Sequence, residues 1–190
     1  TVTVSGEIVD IFGQEMGEDA TLTFQVGPAE AFLSVPGDRF VVMDPSGTPS
    51  ISAYSVNIPR IDLEIYAVDA DDFADYLAFL QDWNRADDAP SPGTRVVERS
   101  INTQSEDDKL TETVIDLAEA LDGETGNLIV KIAPNPGPLA ALFNRDLARR
   151  VRDYTSYHWV QVTEIGLDAA IDSDEMLVWA NALADGAPLA

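Results

Sequence analysis

His158 is the only histidine in the chain, and cysteine is absent. A base-activated nucleophile or an imidazole-rich metal centre built from these residues would therefore rest on a single ring. That ring lies between Tyr157 and Trp159 in a stretch that reads as a packed strand, so a structural imidazole is expected there. Without cysteine the chain has no disulfide framework, no thiolate metal ligand and no thiol nucleophile. Three acidic clusters, Asp69-Asp71-Asp72-Asp75, Glu106-Asp107-Asp108 and Asp172-Asp174-Glu175, offer hard oxygen ligands. None sits in the glycine-centred, glutamate-terminated loop that calcium requires, and solvated turns or helix starts are the expected use. No GxxxxGK or GxGxxG phosphate loop occurs. Pairs of carboxylates carry no information in so acidic a chain, because they would occur anywhere. Arg145, Arg149, Arg150 and Arg152 form the one basic cluster, which suits the C-terminus of their own helix or acidic neighbours in a larger protein. The residues thus point to no catalytic, cofactor-binding or metal site, no cofactor and no enzyme.

The formal charge is −23, from 34 acidic against 11 basic residues. Such a charge repels phosphate backbones and anionic headgroups, which argues against nucleic acid and membrane surfaces as partners. No apolar run is long enough to span a bilayer. The 190 residues suffice for one good core or two small ones. The chain opens at Thr1 with no methionine and no signal-like segment, which reads as a processed chain or a piece cut from a longer one.

The elements that would hold these residues are mostly strands. Val2, Val4 and Ile8 alternate with polar residues, and so do Leu22, Phe24 and Val26, with a turn over Asp10 to Gly17 between them. Two strands alone are marginal, so residues 1–29 are expected to be a hairpin belonging to a neighbouring domain. Gly27-Pro28-Ala29 reads as a linker. Short strands follow around Pro36-Gly37-Asp38 and Asp44 to Gly47. Ile51, Ala53 and Ser55 and then Ile61, Leu63 and Ile65 alternate on either side of Pro59, which should mark an edge, a bulge or a crossing between sheets.

Phe73, Tyr76, Leu77, Leu80 and Trp83 switch to helical spacing, predicting a helix over residues 69–85 capped by Asp69 or Asp71. Residues 87–93 read as a loop and 95–102 as a strand. Leu110 to Leu121 fits either a strand or a helix, and a strand closed by a helical turn at residues 118–121 is favoured. Asn127 to Ala133 is a strand and Leu139 to Val151 has helical spacing. Strands return over residues 157–164, 165–171 and 175–183, the last two joined by Asp172-Ser173-Asp174. The sum is a mainly β chain: an antiparallel β-sandwich with one or two short helices.

The run HWVQVTEIGLDAAIDSDEMLVWANALADGAPLA carries a tryptophan strand at Trp159, Thr163 to Leu167, Leu177 to Trp179, and Gly186 to Leu189. It resembles the start of a macroglobulin-type domain of the bacterial alpha-2-macroglobulins, and SVNIPRIDLEIYAVDADDFADYLAFL resembles the domain before it. SGEIVDIFGQEMGEDATLTFQVG is similar to the last hairpin of bacterial Ig-like domains. The macroglobulin resemblance covers residues 31–190, and three parts are expected: the C-terminal hairpin of an Ig-like domain or linker strands over 1–29, a complete macroglobulin-type sandwich over 30–157, and the first strands of the next such domain over 158–190. It further implies a non-catalytic scaffold of a large secreted or envelope protein that entraps proteases. Its partners would be neighbouring domains of the same parent chain and, through the whole protein, proteases. The family's Cys-Gly-Glu-Gln thioester motif is absent. An Ig-like adhesin or carbohydrate-binding module of a bacterial cell surface is the alternative. On the scaffold reading surplus apolar surface is expected near both ends.

Overall fold

Strict alternation over two consecutive stretches generates the heart of the molecule. The computed structural model describes residues 1–83, 90–135 and 153–189. In β5 (Ser50–Val56) every second residue is buried, and in β6 (Arg60–Val68) Ile61, Leu63 and Ile65 are wholly shielded from solvent. The two strands lie in different sheets, and the segment through Asn57 and Pro59 carries the chain across. Pro59 thus marks a crossing between sheets, where its missing N–H costs no ladder bond.

β5 is the centre of a three-stranded antiparallel sheet with β3 (Phe32–Ser34) and β8 (Thr111–Asp116). β6 lies in a five-stranded sheet of order β4-β10-β9-β6-β7, formed with β4 (Phe40–Met43), β7 (Thr94–Asn102), β9 (Gly126–Pro134) and β10 (Ser156–Val162). All its pairs are antiparallel except β4 with β10, which is parallel. Leu33, Ile51, Ala53 and Ile115 from one sheet meet Ile61, Leu63, Ile65, Leu128, Val130, Ile132, Val160 and Val162 from the other in one core. That is the expected sandwich.

The other face of the five-stranded sheet is covered as well. A 3-10 turn at Ala70–Asp72 leads into α1 (Phe73–Trp83), whose Tyr76 and Phe79 pack on Ile129, Tyr157 and Trp159. The Asp72 carboxylate accepts the Asp69 N–H at 2.9 Å, closing the turn that starts the helix. Being covered on both sides, β9 shows a run of buried residues instead of alternation. After the loop, Gly93 takes φ +88°, so close to β6 that a Cβ would lie 2.4 Å from Cγ1 of Val68. Residues 110–121 resolve as β8 followed by a 3-10 turn at Ala118–Ala120, as favoured. The helix predicted over 139–151, with its arginine cluster, lies outside the described residues.

Two small hairpins flank the sandwich. β1 (Val2–Val4) and β2 (Ala20–Leu22) pair over three residues each. The second strand stops short of the predicted Phe24 and Val26, which stand 58% and 85% exposed. β11 (Ile165–Ile171) and β12 (Met176–Ala182) pair along their whole length, joined through the Asp172 turn. The division expected between residues 157 and 158 runs through the middle of β10, all seven residues of which pair with β9. His158, Trp159, Val160 and Val162 are buried in the sandwich, and sustained exposure begins only beyond Thr163. The strand that opens the resembling run therefore completes the preceding sheet.

Candidate interaction surface

His158 sits on the core side of β10 and is 4% exposed. Its Nδ1 lies 3.1 Å from the carbonyl oxygen of Asp38. A carbonyl only accepts, so Nδ1 carries the proton and Nε2 is a bare lone pair, buried with no partner among the described residues. Burial pushes the imidazole below its ordinary range, against the Asp38 hydrogen bond that favours the cation, and the charge of Arg39 lowers it further. The ring is a core element in which burial favours the neutral form.

Its linkage to stability has a definite sign. The unfolded ring titrates near ~6.5 and the folded ring lower, so the unfolded chain binds the extra proton between those values. The contribution of His158 is complete above the unfolded value and is lost as pH falls toward the folded one. Urea denaturation is expected to give falling stability from about pH 7.5 to 5.5, with a flatter profile in His158→Gln. An unchanged slope in that variant would refute the assignment, since the chain holds no second histidine.

The acidic clusters serve local structure. Among the described residues no three His, Asp or Glu side chains gather where they could hold a metal ion. The Asp172 carboxylate accepts the N–H groups of Asp174 and Glu175, each at 2.9 Å, and these bonds hold it below the usual carboxylate range. Asp108 accepts from Asn57 Nδ2 at 2.9 Å and from the Ala29 N–H at 2.8 Å, and is lowered for the same reason, Asn57 foremost. Asn57 also donates to the Ala29 carbonyl at 2.8 Å. These three residues clip the segment after the first hairpin to the sandwich.

One polar group escaped the sequence reading. On the helix side of the sheet, Glu64 meets Lys131 at 2.6 Å and Arg95 at 3.6 Å, and accepts the hydroxyl of Tyr66. Burial raises the carboxyl, but the hydrogen bonds from Lys131 and Tyr66 and the two cations outweigh it and leave it lowered. The hints in the sequence are Glu64, one of three charged residues alternating along β6, and Lys131, the one charged residue of β9, whose pairing no local pattern reveals.

The surface most suggestive of recognition is apolar. Across the β11–β12 register, Ile165 faces Ala182, Leu167 faces Ala180, Ala169 faces Val178 and Ile171 faces Met176. These pairs share one side of the ribbon, which is apolar throughout. Leu167 and Ile171 stand 73% and 75% exposed. The first hairpin likewise exposes Ile11 and Phe12. Surplus apolar surface thus lies where it was expected, on both flanking hairpins.

No family model and no curated protein matches the sequence. Solved structures do match. The crystal structure of native alpha-2-macroglobulin from Escherichia coli spanning domains MG0-NIE-MG1 superposes with a TM-score of 0.55 at 13% identity, over 98% of this chain and 57% of that one. The chain shares the fold of these macroglobulin domains. The cryo-EM reconstruction of the native conformation of E. coli alpha-2-macroglobulin gives a TM-score of 0.55 at 11% identity, over 98% of this chain and 11% of that one. The chain therefore corresponds to a small part of the full macroglobulin it matches, with both flanking hairpins inside the shared fold.

Proposed function

We propose that this chain is a non-catalytic scaffold segment of a large alpha-2-macroglobulin-like protein that traps proteases. The observation that carries the reading is the pair of apolar hairpins held on either side of one well-packed sandwich. In this arrangement residues 1–29 and those from Glu164 onward belong to contacts with neighbouring domains of the same parent chain, and residues 30–163 form the complete sandwich between them. Proteases would be engaged by the whole protein, outside the cytoplasm, while this segment fixes the angle between its neighbours. Nucleic acid and membrane insertion have no part in it. No described helix is long and apolar enough to cross a bilayer.

Incubation with proteases of several mechanistic classes tests the proposal. The chain alone is expected to leave their activity on a large protein substrate unchanged and to form no SDS-stable adduct, whereas the full-length parent is expected to protect the large substrate. Inhibition by the chain alone, or none by the parent, would overturn it.

A further inference from the structure

The five-stranded sheet ends at β4, whose outer edge has no strand partner among the described residues. Arg39 and Met43 offer their carbonyls to the N–H groups of Trp159 and Thr163, at 2.8 and 2.9 Å. By the alternation of a strand, the N–H and C=O groups of Phe40 and Val42 then point away from the sheet. The side chains of these two residues stand on the helix side, 44% and 42% exposed, with Phe40 set edge-on to Phe73 of α1 at 5.5 Å.

Three hollows meet at Phe40. One of about 250 Å³ lies beneath Leu77 and Leu80 of α1, and one of about 330 Å³ lies between Phe73, Trp159 and Gln161. A third, of about 490 Å³, runs past Val42 to Leu167 and Leu183. Open backbone groups and apolar hollows at alternate residues are what an added strand needs.

Charge identifies the kind of strand. Asp69 and Asp71 flank Ala70 at the second hollow, Asp44 follows directly on β4, and Glu164 lies two residues past the end of β10. None of these carboxylates is in an ion pair among the described residues; Arg39 at the first hollow stands against them, while Arg95, Arg99, Lys109 and Lys131 are engaged with glutamates elsewhere. We propose that the β4 edge binds an extended polypeptide segment of another protein, with large apolar side chains two residues apart and lysine or arginine beside them, as a sixth strand. A second copy is a poor occupant, because two bodies of charge −23 would bring the same acidic rims together.

The probe is a short fluorescein-labelled peptide alternating lysine with valine and phenylalanine, read by anisotropy against the whole chain. Binding is expected, weakening with added salt. Val42→Pro removes an outward N–H and leaves the ladder to β10 intact, and should weaken binding by about tenfold or more. N-methylation of the peptide along one edge should do the same at unchanged charge. Phe40→Ser, at a half-exposed site, gives a second variant whose fold is checked by circular dichroism. Equal affinity for the methylated peptide, or no binding at low salt, would overturn the proposal. So would a dimer by sedimentation that Val42→Pro dissociates, which would assign the edge to a second copy.

Discussion

Replacing Trp159 by alanine is expected to cost roughly 3 to 5 kcal/mol and to weaken the whole sandwich as one unit. The indole is 2% exposed and joins two layers. Its ring meets Phe73 edge-on at 5.1 Å and Tyr76 at 5.5 Å, both from α1, while its backbone belongs to β10. Loss of the ring removes buried area, opens a cavity and breaks two aromatic contacts, each of which adds about 0.5 to 1.5 kcal/mol. Against a total of about 5 to 15 kcal/mol for a domain, such a loss moves a urea midpoint far toward zero. Trp159→Phe, which keeps a ring in the site, should lose markedly less. If the alanine variant lost under about 1 kcal/mol, or if only residues beyond 157 melted early, β10 would not be the structural centre that its pairing makes it.

What the sequence revealed and what it hid separate along one line, the range of the interaction. The alternation through Ile51–Ala53–Ser55 and Ile61–Leu63–Ile65, the crossing at Pro59, the stripe from Phe73 to Trp83 and the hairpin around Asp172 are all written within a few residues, and all appear in the structure. The pairing of β4 with β10 joins Phe40 to Trp159, and no local pattern encodes a partner so far along the chain. The resemblance groups Trp159 with residues 158–190, while its backbone pairs with β4 and β9 in the five-stranded sheet. Glu64 and Lys131 were hidden likewise, since each alone looks like an ordinary polar residue in a strand. The neighbours of His158 mark it as a packed residue, and it is 4% exposed, but its bare Nε2 depends on the Asp38 carbonyl, contributed by a distant turn. The edge of β4 was invisible because an edge is defined by the strand that is missing.

Truncation separates these roles more sharply than any substitution. A chain ending at Thr163 is expected to melt within a few degrees of the intact one, whereas a chain ending at Thr155 is expected not to fold. The hairpin beyond Thr163 keeps much of its apolar surface in solvent, Leu167 and Ile171 above all, so its removal takes little from the core. β10 is the opposite case. It carries Tyr157, Trp159, Val160 and Val162, all at most 8% exposed, and each fully buried side chain of this size contributes about 1.5 to 3 kcal/mol. Four of them amount to most of a domain's net stability. Their removal also strips β9 of one ladder and leaves β4, which among the described residues pairs only with β10, without any sheet to join. Circular dichroism and thermal melts of the two truncated chains read the difference directly. Loss of the fold in the longer of them would place the β11–β12 ribbon within the core of this sandwich, whereas retention with better solubility would match an apolar ribbon whose natural cover is a neighbouring domain.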